Sequence, residues 1–341
     1  LLCGCLDHSP YNHCSIKIIL GTMNKKKDTI QPLDGTKVPR FAGPSTFARL
    51  PEIRDVEICD IAVLGIPFDA GTSFRPGARF GPQSVRQASR HLRTNYHPNY
   101  DEEPFKVLQV ADAGDLVCNP FKIDEAIKQI EQGATKLLNK VDNIISIGGD
   151  HTIAFPLLRA INKKFNGPVA LVHFDAHLDT WDTYFGAPYT HGTPFRRARE
   201  ENLFLNDASM HVGIRGPLYS RDDLKNDEDL GFKIVHCDEF QSQGIDKIIK
   251  RIRDRVGSNP LYLSIDIDVL DPAFAPGTGT PEIAGITSRE ILNVLRGLSG
   301  LNLISADVVE VSPVYDHAEI TSLAAATIIY EIINLFAKKS R

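Results

Sequence analysis

Two short stretches of this sequence could do chemistry. One is Asp175-Ala176-His177-Leu178-Asp179, preceded by Leu171-Val172-His173-Phe174. The other is Ser264-Ile265-Asp266-Ile267-Asp268. Each reads as a buried β-strand that ends in carboxylates and imidazole. A short apolar run suits a parallel strand covered on both faces. Charged groups at the end of such a strand are costly to bury alone. A metal or a strong charge partner is the usual remedy. A third segment, Gly148-Gly149-Asp150-His151, follows another apolar run and adds an imidazole.

His151, Asp175, His177, Asp179, Asp266 and Asp268 form the candidate ligand set. Carboxylates and neutral imidazoles suit Mn2+, Fe2+, Co2+, Ni2+ or Zn2+, and the lack of cysteine argues against a structural zinc site. Four carboxylates are too much negative charge for one ion. Two ions with bridging carboxylates fit better, and such a pair can clamp a hydroxide for attack. No Ser or Cys nucleophile is then required. Taken singly, these residues have plainer readings. Asp150 could cap the helix that follows, and Asp266 could cap a turn. The pattern as a whole points to metal. His191 is a lone loop histidine, a kind more often solvated than catalytic, but beside a metal pair the unperturbed pKa of an imidazole would suit proton transfer to a leaving amine. Glu310 ends a nearly unbroken apolar strand, where a carboxylate is either paired structurally or receives a cationic substrate. Arg75 and Arg79 lie in a loop that could approach the same edge or serve structure alone.

The elements that must position these residues alternate. Strands are expected at 58–66, 105–110, 143–147, 169–174, 209–214, 232–236, 261–267 and 303–311. Helices are expected at 83–92, 123–140, 152–165, 194–201, 245–256, 288–298 and 322–337. Repeated strand–helix units imply a parallel sheet with helices on both faces. In such sheets ligands bind beyond the carboxyl ends of the strands, where the candidate residues fall.

The chain has 341 residues and a net charge of -5, with 38 Lys and Arg against 43 Asp and Glu. Acids and bases are well mixed, and no basic run exceeds Lys25-Lys26-Lys27, which argues against nucleic acid as a partner. No apolar stretch is expected to reach the ~20 residues that span a bilayer. Six cysteines are scattered or crowded at the start, as suits reduced thiols in a cytoplasmic protein, with a mitochondrial location left open. Residues 1–33 are expected to form a tail without fixed structure, and 34–341 a single catalytic domain. The tail carries Cys3, Cys5, His8, His13 and Cys14, which could bind zinc, but the spacing is irregular. Translation could start at Met23.

At these residues the chain closely resembles the ureohydrolase family, which includes arginase, agmatinase and guanidinobutyrase. The matching segments are 148–151, 175–179 and 264–272, supported by 75–82, 275–281 and 310–313. The resemblance runs from about Pro39 to Ala337. It implies a three-layer α/β/α arginase-like fold and a binuclear manganese centre, with nickel or cobalt as other acceptable ions. By motif position, one ion would take His151, Asp175, Asp179 and Asp266. The other would take Asp175, His177, Asp266 and Asp268, with Asp175 and Asp266 bridging. His191 would be the proton shuttle, Glu310 would hold the guanidinium, and Asp179 would act with them. Leu178 departs from the small or polar residue of many relatives. The family usually forms trimers or hexamers.

Within that family the sequence is most similar to agmatinases, through 277–282 and 315–323. The implied reaction takes agmatine to putrescine and urea. Free guanidine and 4-guanidinobutyrate are the alternatives. In place of an Asn-rich loop stands 180–189, where Trp181, Tyr184 or Phe185 could stack on a cation. Asp182 could meet a distal ammonium, and Arg93 a distal carboxylate. A mononuclear-zinc amidohydrolase would need fewer carboxylates, and a pseudoenzyme would have lost ligands that are all present here.

Overall fold

The computed structural model describes residues 29–339. Eight strands form one sheet: β1 Ile61–Ile66, β2 Val110–Asp115, β3 Asn143–Gly148, β4 Ala170–Phe174, β5 Met210–Ile214, β6 Lys233–His236, β7 Leu261–Asp266 and β8 Leu303–Val309. All are parallel, in the order β2-β1-β3-β8-β7-β4-β5-β6. Successive strand residues point to opposite faces, so the sheet divides two cores. Val63, Ile145, Val172 and Leu263 pack with the Gly81–Ser89, Ile245–Val256, Ser288–Gly297 and Ile320–Lys339 helices. Ala62, Leu64, Leu171 and Tyr262 pack with the Ile123–Leu138, Ala154–Phe165 and Pro194–Glu200 helices. This is the expected three-layer α/β/α architecture.

The order of strands does the positioning. β3, β8, β7 and β4 are neighbours at the centre. Their carboxyl ends therefore bring 150–151, 310, 266–268 and 175–179 to one edge.

Several elements differ from expectation. The strand expected at 105–110 begins only at Val110, and Pro104–Val107 is a helical turn. Pro104 sits at the start of that turn, where its fixed φ suits helix. The edge strand itself reads Val110-Ala111-Asp112-Ala113-Gly114-Asp115, a poor strand composition. It is held instead through Asp112, which accepts from Phe47 N at 2.6 Å and Arg86 Nε at 2.8 Å. Two short polar helices, Asp223–Asp229 and Asp238–Gln243, had no apolar periodicity to announce them.

Contrary to expectation, the closing Ile320–Lys339 helix is long and apolar enough to cross a membrane by length and composition. Here it packs into the first core. Thr29 Oγ1 donates to Phe105 O, and Ile30 N donates to Gln109 Oε1. The chain is thus tied to the body from residue 29. The expectations for residues 1–28, including the Cys and His cluster, lie outside the described residues.

Candidate metal centre

Three of the four central strands end in the same turn. Asp150 Oδ1 accepts from Thr152 N at 3.0 Å, Asp175 Oδ1 from His177 N at 2.6 Å, and Asp266 Oδ1 from Asp268 N at 2.8 Å. An aspartate that bonds the backbone two residues on stops the strand and bends the chain. In β4 and β7 it also aims the second oxygen at the site. β8 ends differently, with Glu310 at φ 65, and Asp179 follows β4 at φ 56. Left-handed backbone at a residue other than Gly stores strain, and such strain gathers at functional sites. Gly149 is required between these ends. A Cβ there would stand 2.0 Å from Phe68 O, while its own carbonyl accepts from Glu310 N at 2.9 Å.

His151 shows what the cluster lacks. Its Nε2 lies 2.9 Å from Ser264 Oγ, and Ser264 Oγ donates to Asp307 Oδ1 at 2.7 Å. A hydroxyl has one proton, so Ser264 accepts from His151 Nε2–H. Nδ1 is left facing Asp175 Oδ2 at 3.2 Å, Asp179 Oδ2 at 2.9 Å and Asp266 Oδ2 at 3.3 Å. It is fully buried and hydrogen-bonds none of them. Burial lowers the His151 pKa, but these carboxylates overcome it and hold the ring well above its ordinary value. Three anionic oxygens converging on one imidazole nitrogen ask for a cation among them.

A second group adjoins the first. His177 Nδ1 lies 3.3 Å from Asp175 Oδ1 and 3.1 Å from Asp268 Oδ2. Asp175 therefore presents one oxygen to each group. Burial raises Asp266 well above the usual carboxylate range, and repulsion from Asp268 and Asp175 adds to it. Burial and Asp175 push Asp268 up to about 6. Two divalent ions would relieve that repulsion, and the oxygen and imidazole donors fit them. All six predicted ligand residues meet here.

His191 and Glu310 stand beside this cluster. His191 Nδ1 lies 3.0 Å from Glu310 Oε1, which also accepts from His151 N at 2.9 Å. Glu310 Oε2 is buried and has no hydrogen-bond partner among the described residues. Burial lowers the His191 pKa, yet the Glu310 charge outweighs it and lifts the ring to about 9. Ser73 opposes that lift, because its N–H donates to His191 Nε2 at 3.0 Å. A cavity of about 570 Å³ opens from the cluster, lined by His177, Asp179, Trp181, His191, Arg215 and Glu282 among others.

The comparisons with known proteins agree with this geometry. The family model described as the arginase family matches residues 59–334. The chain belongs to the arginase family. It is 46% identical over 329 residues to putative agmatinase 1 of Schizosaccharomyces pombe, covering 87% of this chain and 83% of that one. It is 44% identical over 315 residues to guanidinopropionase of Pseudomonas aeruginosa, covering 92% and 98%. The solved proclavaminate amidino hydrolase from Streptomyces clavuligerus superposes with a TM-score of 0.84 at 41% identity, covering 89% of this chain and all of that one. The chain is thus a hydrolase of the arginase family that acts on guanidino compounds, with a buried His and Asp cluster for a binuclear metal site.

Not every predicted residue reaches this arginase-family site. Trp181 and Tyr184 line the cavity. Asp182 does not: it accepts from Arg197 Nη2 at 2.6 Å and lines a neighbouring cavity. Arg93 lines a separate cavity with Arg40, Arg49 and Arg90. Phe185 is 93% exposed. Arg79 pairs with Asp69, and Arg75 donates to Thr278 O and Gly279 O. Sequence reasoning missed Ser73, His211, Asp227 and Glu282. Glu282 had a signal, since it closes the 277–282 motif. The others had none.

Proposed function

We propose that this arginase-family chain hydrolyses agmatine to putrescine and urea at a centre of two manganese ions. His151, Asp175, Asp179 and Asp266 would hold one ion, and Asp175, His177, Asp266 and Asp268 the other. Bound there, the ions would supply Lewis acidity and a water acidic enough to act at neutral pH. Glu310 binds the guanidinium through Oε2, the acceptor its own neighbours leave free. Its Oε1 stays fixed by His151 N and His191 Nδ1. His191 holds a proton beside the cavity and delivers it to the departing amine.

The charge inventory of the cavity carries the choice of tail. Arg215 donates to the carbonyls of Val269, Asp268, Glu282 and Ile283, and Arg75 to those of Thr278 and Gly279. Both cations are engaged with backbone. Among the lining carboxylates, Asp179 and Asp266 belong to the cluster, and Glu282 meets it only at His177, whose Nε2 lies 3.9 Å from Glu282 Oε1. A distal ammonium would meet Glu282 and the ring faces of Trp181, Tyr184 and Tyr219. This reading moves the amine site from Asp182 to Glu282.

A guanidino-acid substrate is the second reading, favoured by the 44% identity to guanidinopropionase. The test is urea release from agmatine, 3-guanidinopropionate, 4-guanidinobutyrate, guanidine and arginine by the manganese-loaded protein. Agmatine should lead, and Glu282→Gln should lower its kcat/KM about tenfold. A lead for either guanidino acid would overturn the tail assignment.

A further inference from the structure

His173 is a buried histidine in the metal cluster that the reaction above does not use. Its geometry also keeps it from being a ligand. Nε2 lies 2.7 Å from Asp175 Oδ2, and Nδ1 lies 2.7 Å from His211 Nδ1. Both ring nitrogens are therefore taken. The line continues outward. His211 Nε2 lies 3.1 Å from Asp227 Oδ1, and Thr180 Oγ1 donates to that same oxygen at 2.8 Å. Asp175, His173, His211 and Asp227 are all fully buried.

Proton accounting gives the line a direction. Asp175 can only accept while ionised, so His173 donates from Nε2–H. A neutral ring has only that one proton to give. Its Nδ1 is then a lone pair and must accept from His211 Nδ1–H. If His211 carried its proton on Nε2 alone, two lone pairs would face each other at 2.7 Å. His173 would then have to turn its proton outward and present a lone pair to Asp175. Asp227 Oδ1, 3.1 Å from His211 Nε2 and held by Thr180 Oγ1, is the outer contact that fixes how the His211 ring sits against His173. Asp227 also grips Thr180, the neighbour of Asp179.

We propose that Asp227, on the Asp223–Asp229 helix, is a positioning residue for the metal centre, acting through His211 and His173 to orient Asp175 and through Thr180 to hold the Asp179 loop. Partners of this outer kind commonly set metal affinity by about 10- to 100-fold. The inference rests on the metal-binding part of the function proposed above, not on its substrate.

The experiment is a Mn2+ titration of metal-stripped protein against a competing chelator, with the thermal midpoint of the stripped protein recorded alongside. Asp227→Leu removes the polar contacts while keeping the branching at Cγ and should weaken Mn2+ binding about 10- to 100-fold. Asp227→Asn keeps the size and can donate an amide N–H to His211 Nε2, leaving Nδ1–H for His173, and should recover most of it. His211→Phe breaks the line one link further in while its ring can still stack on Phe232, now 3.9 Å away. It should weaken binding at least several-fold while leaving the Thr180 contact in place, which also covers an Asp227→Leu chain that does not fold. Combining the two should add little to Asp227→Leu alone, because that variant has already broken the His211 route.

Variants that lower the thermal midpoint but bind Mn2+ as the parent does would overturn the proposal. So would strictly additive losses. Turnover is not consulted. A parent that binds Mn2+ but releases no urea sinks the proposed function and leaves this inference standing. A parent that takes up no divalent ion sinks both.

Discussion

Glu310→Gln separates charge from shape at the candidate site. The side chain is 1% exposed and accepts at Oε1 from His151 N at 2.9 Å and His191 Nδ1 at 3.0 Å. An amide of the same size can offer its oxygen to both donors. The fold should lose only about 1 kcal/mol, the scale of one weakened hydrogen bond. Metal content should stay at the parent level, because neither carboxylate oxygen stands among the ligand groups. What disappears is the negative charge that faces a guanidinium in a buried site. Losing one partner of such a pair costs about 2–5 kcal/mol. At 1.36 kcal/mol per factor of ten, kcat/KM should fall about 30- to 5000-fold. A second effect follows at His191. Glu310 is the main influence raising that ring to about 9 against burial. Without it only Asp179 and Asp150 oppose burial, and the His191 limb of the pH–rate profile should move down from about 9. Urea release across pH, with metal analysis of the same sample, reads both effects. A fully metal-loaded variant within threefold of the parent would refute the role given to Glu310.

Gly149→Ala should abolish activity and cost more than about 3 kcal/mol, since the new Cβ would overlap Phe68 O and Ile66 O. Denaturant unfolding of the variant checks it, and an unchanged midpoint would contradict the close approach. The metal-stripped protein should grow less stable as pH rises from about 4 to about 7. Asp268 is raised to about 6 and Asp150 to about 7, each first by burial and then by a neighbouring carboxylate. A raised group stabilises fully below its unfolded pKa, and that stability is lost as pH climbs through the folded value. Asp175, held well below the usual range by its histidines although burial opposes it, acts with the opposite sign. Metal should cancel much of the trend, because the ions balance these charges. Thermal midpoints measured over that range with and without Mn2+ decide it, and parallel curves would sink the claim.

How much of this was legible in the sequence follows from how far each contact reaches. The ligands were legible because strand ends carry them. The apolar runs before Asp175 and Asp266 mark buried strands, and the alternation places the carboxylates at one edge. The strand order could not be read locally, yet the repeated βα units were enough to predict a shared edge, because ligands bind beyond the carboxyl ends of parallel strands. The supporting residues were hidden by distance along the chain. Ser73 meets His191 across 118 positions, and Asp227 reaches β4 only through His211. Asp227 lies on a short polar helix with no apolar stripe to mark it. Asp182 misled for a related reason. It sits in the right loop, but Arg197, one helix later, turns it away. The edge strand β2 was displaced because Asp112, not apolar side chains, anchors it.

The central claim is that two ions at this cluster drive guanidino hydrolysis. The most direct test titrates Mn2+ into stripped protein while urea release from agmatine is followed. The account predicts that turnover rises in step with occupancy of both donor groups, to two ions per chain. Full turnover at one ion per chain would contradict it, as would two bound ions with no urea from any guanidino compound.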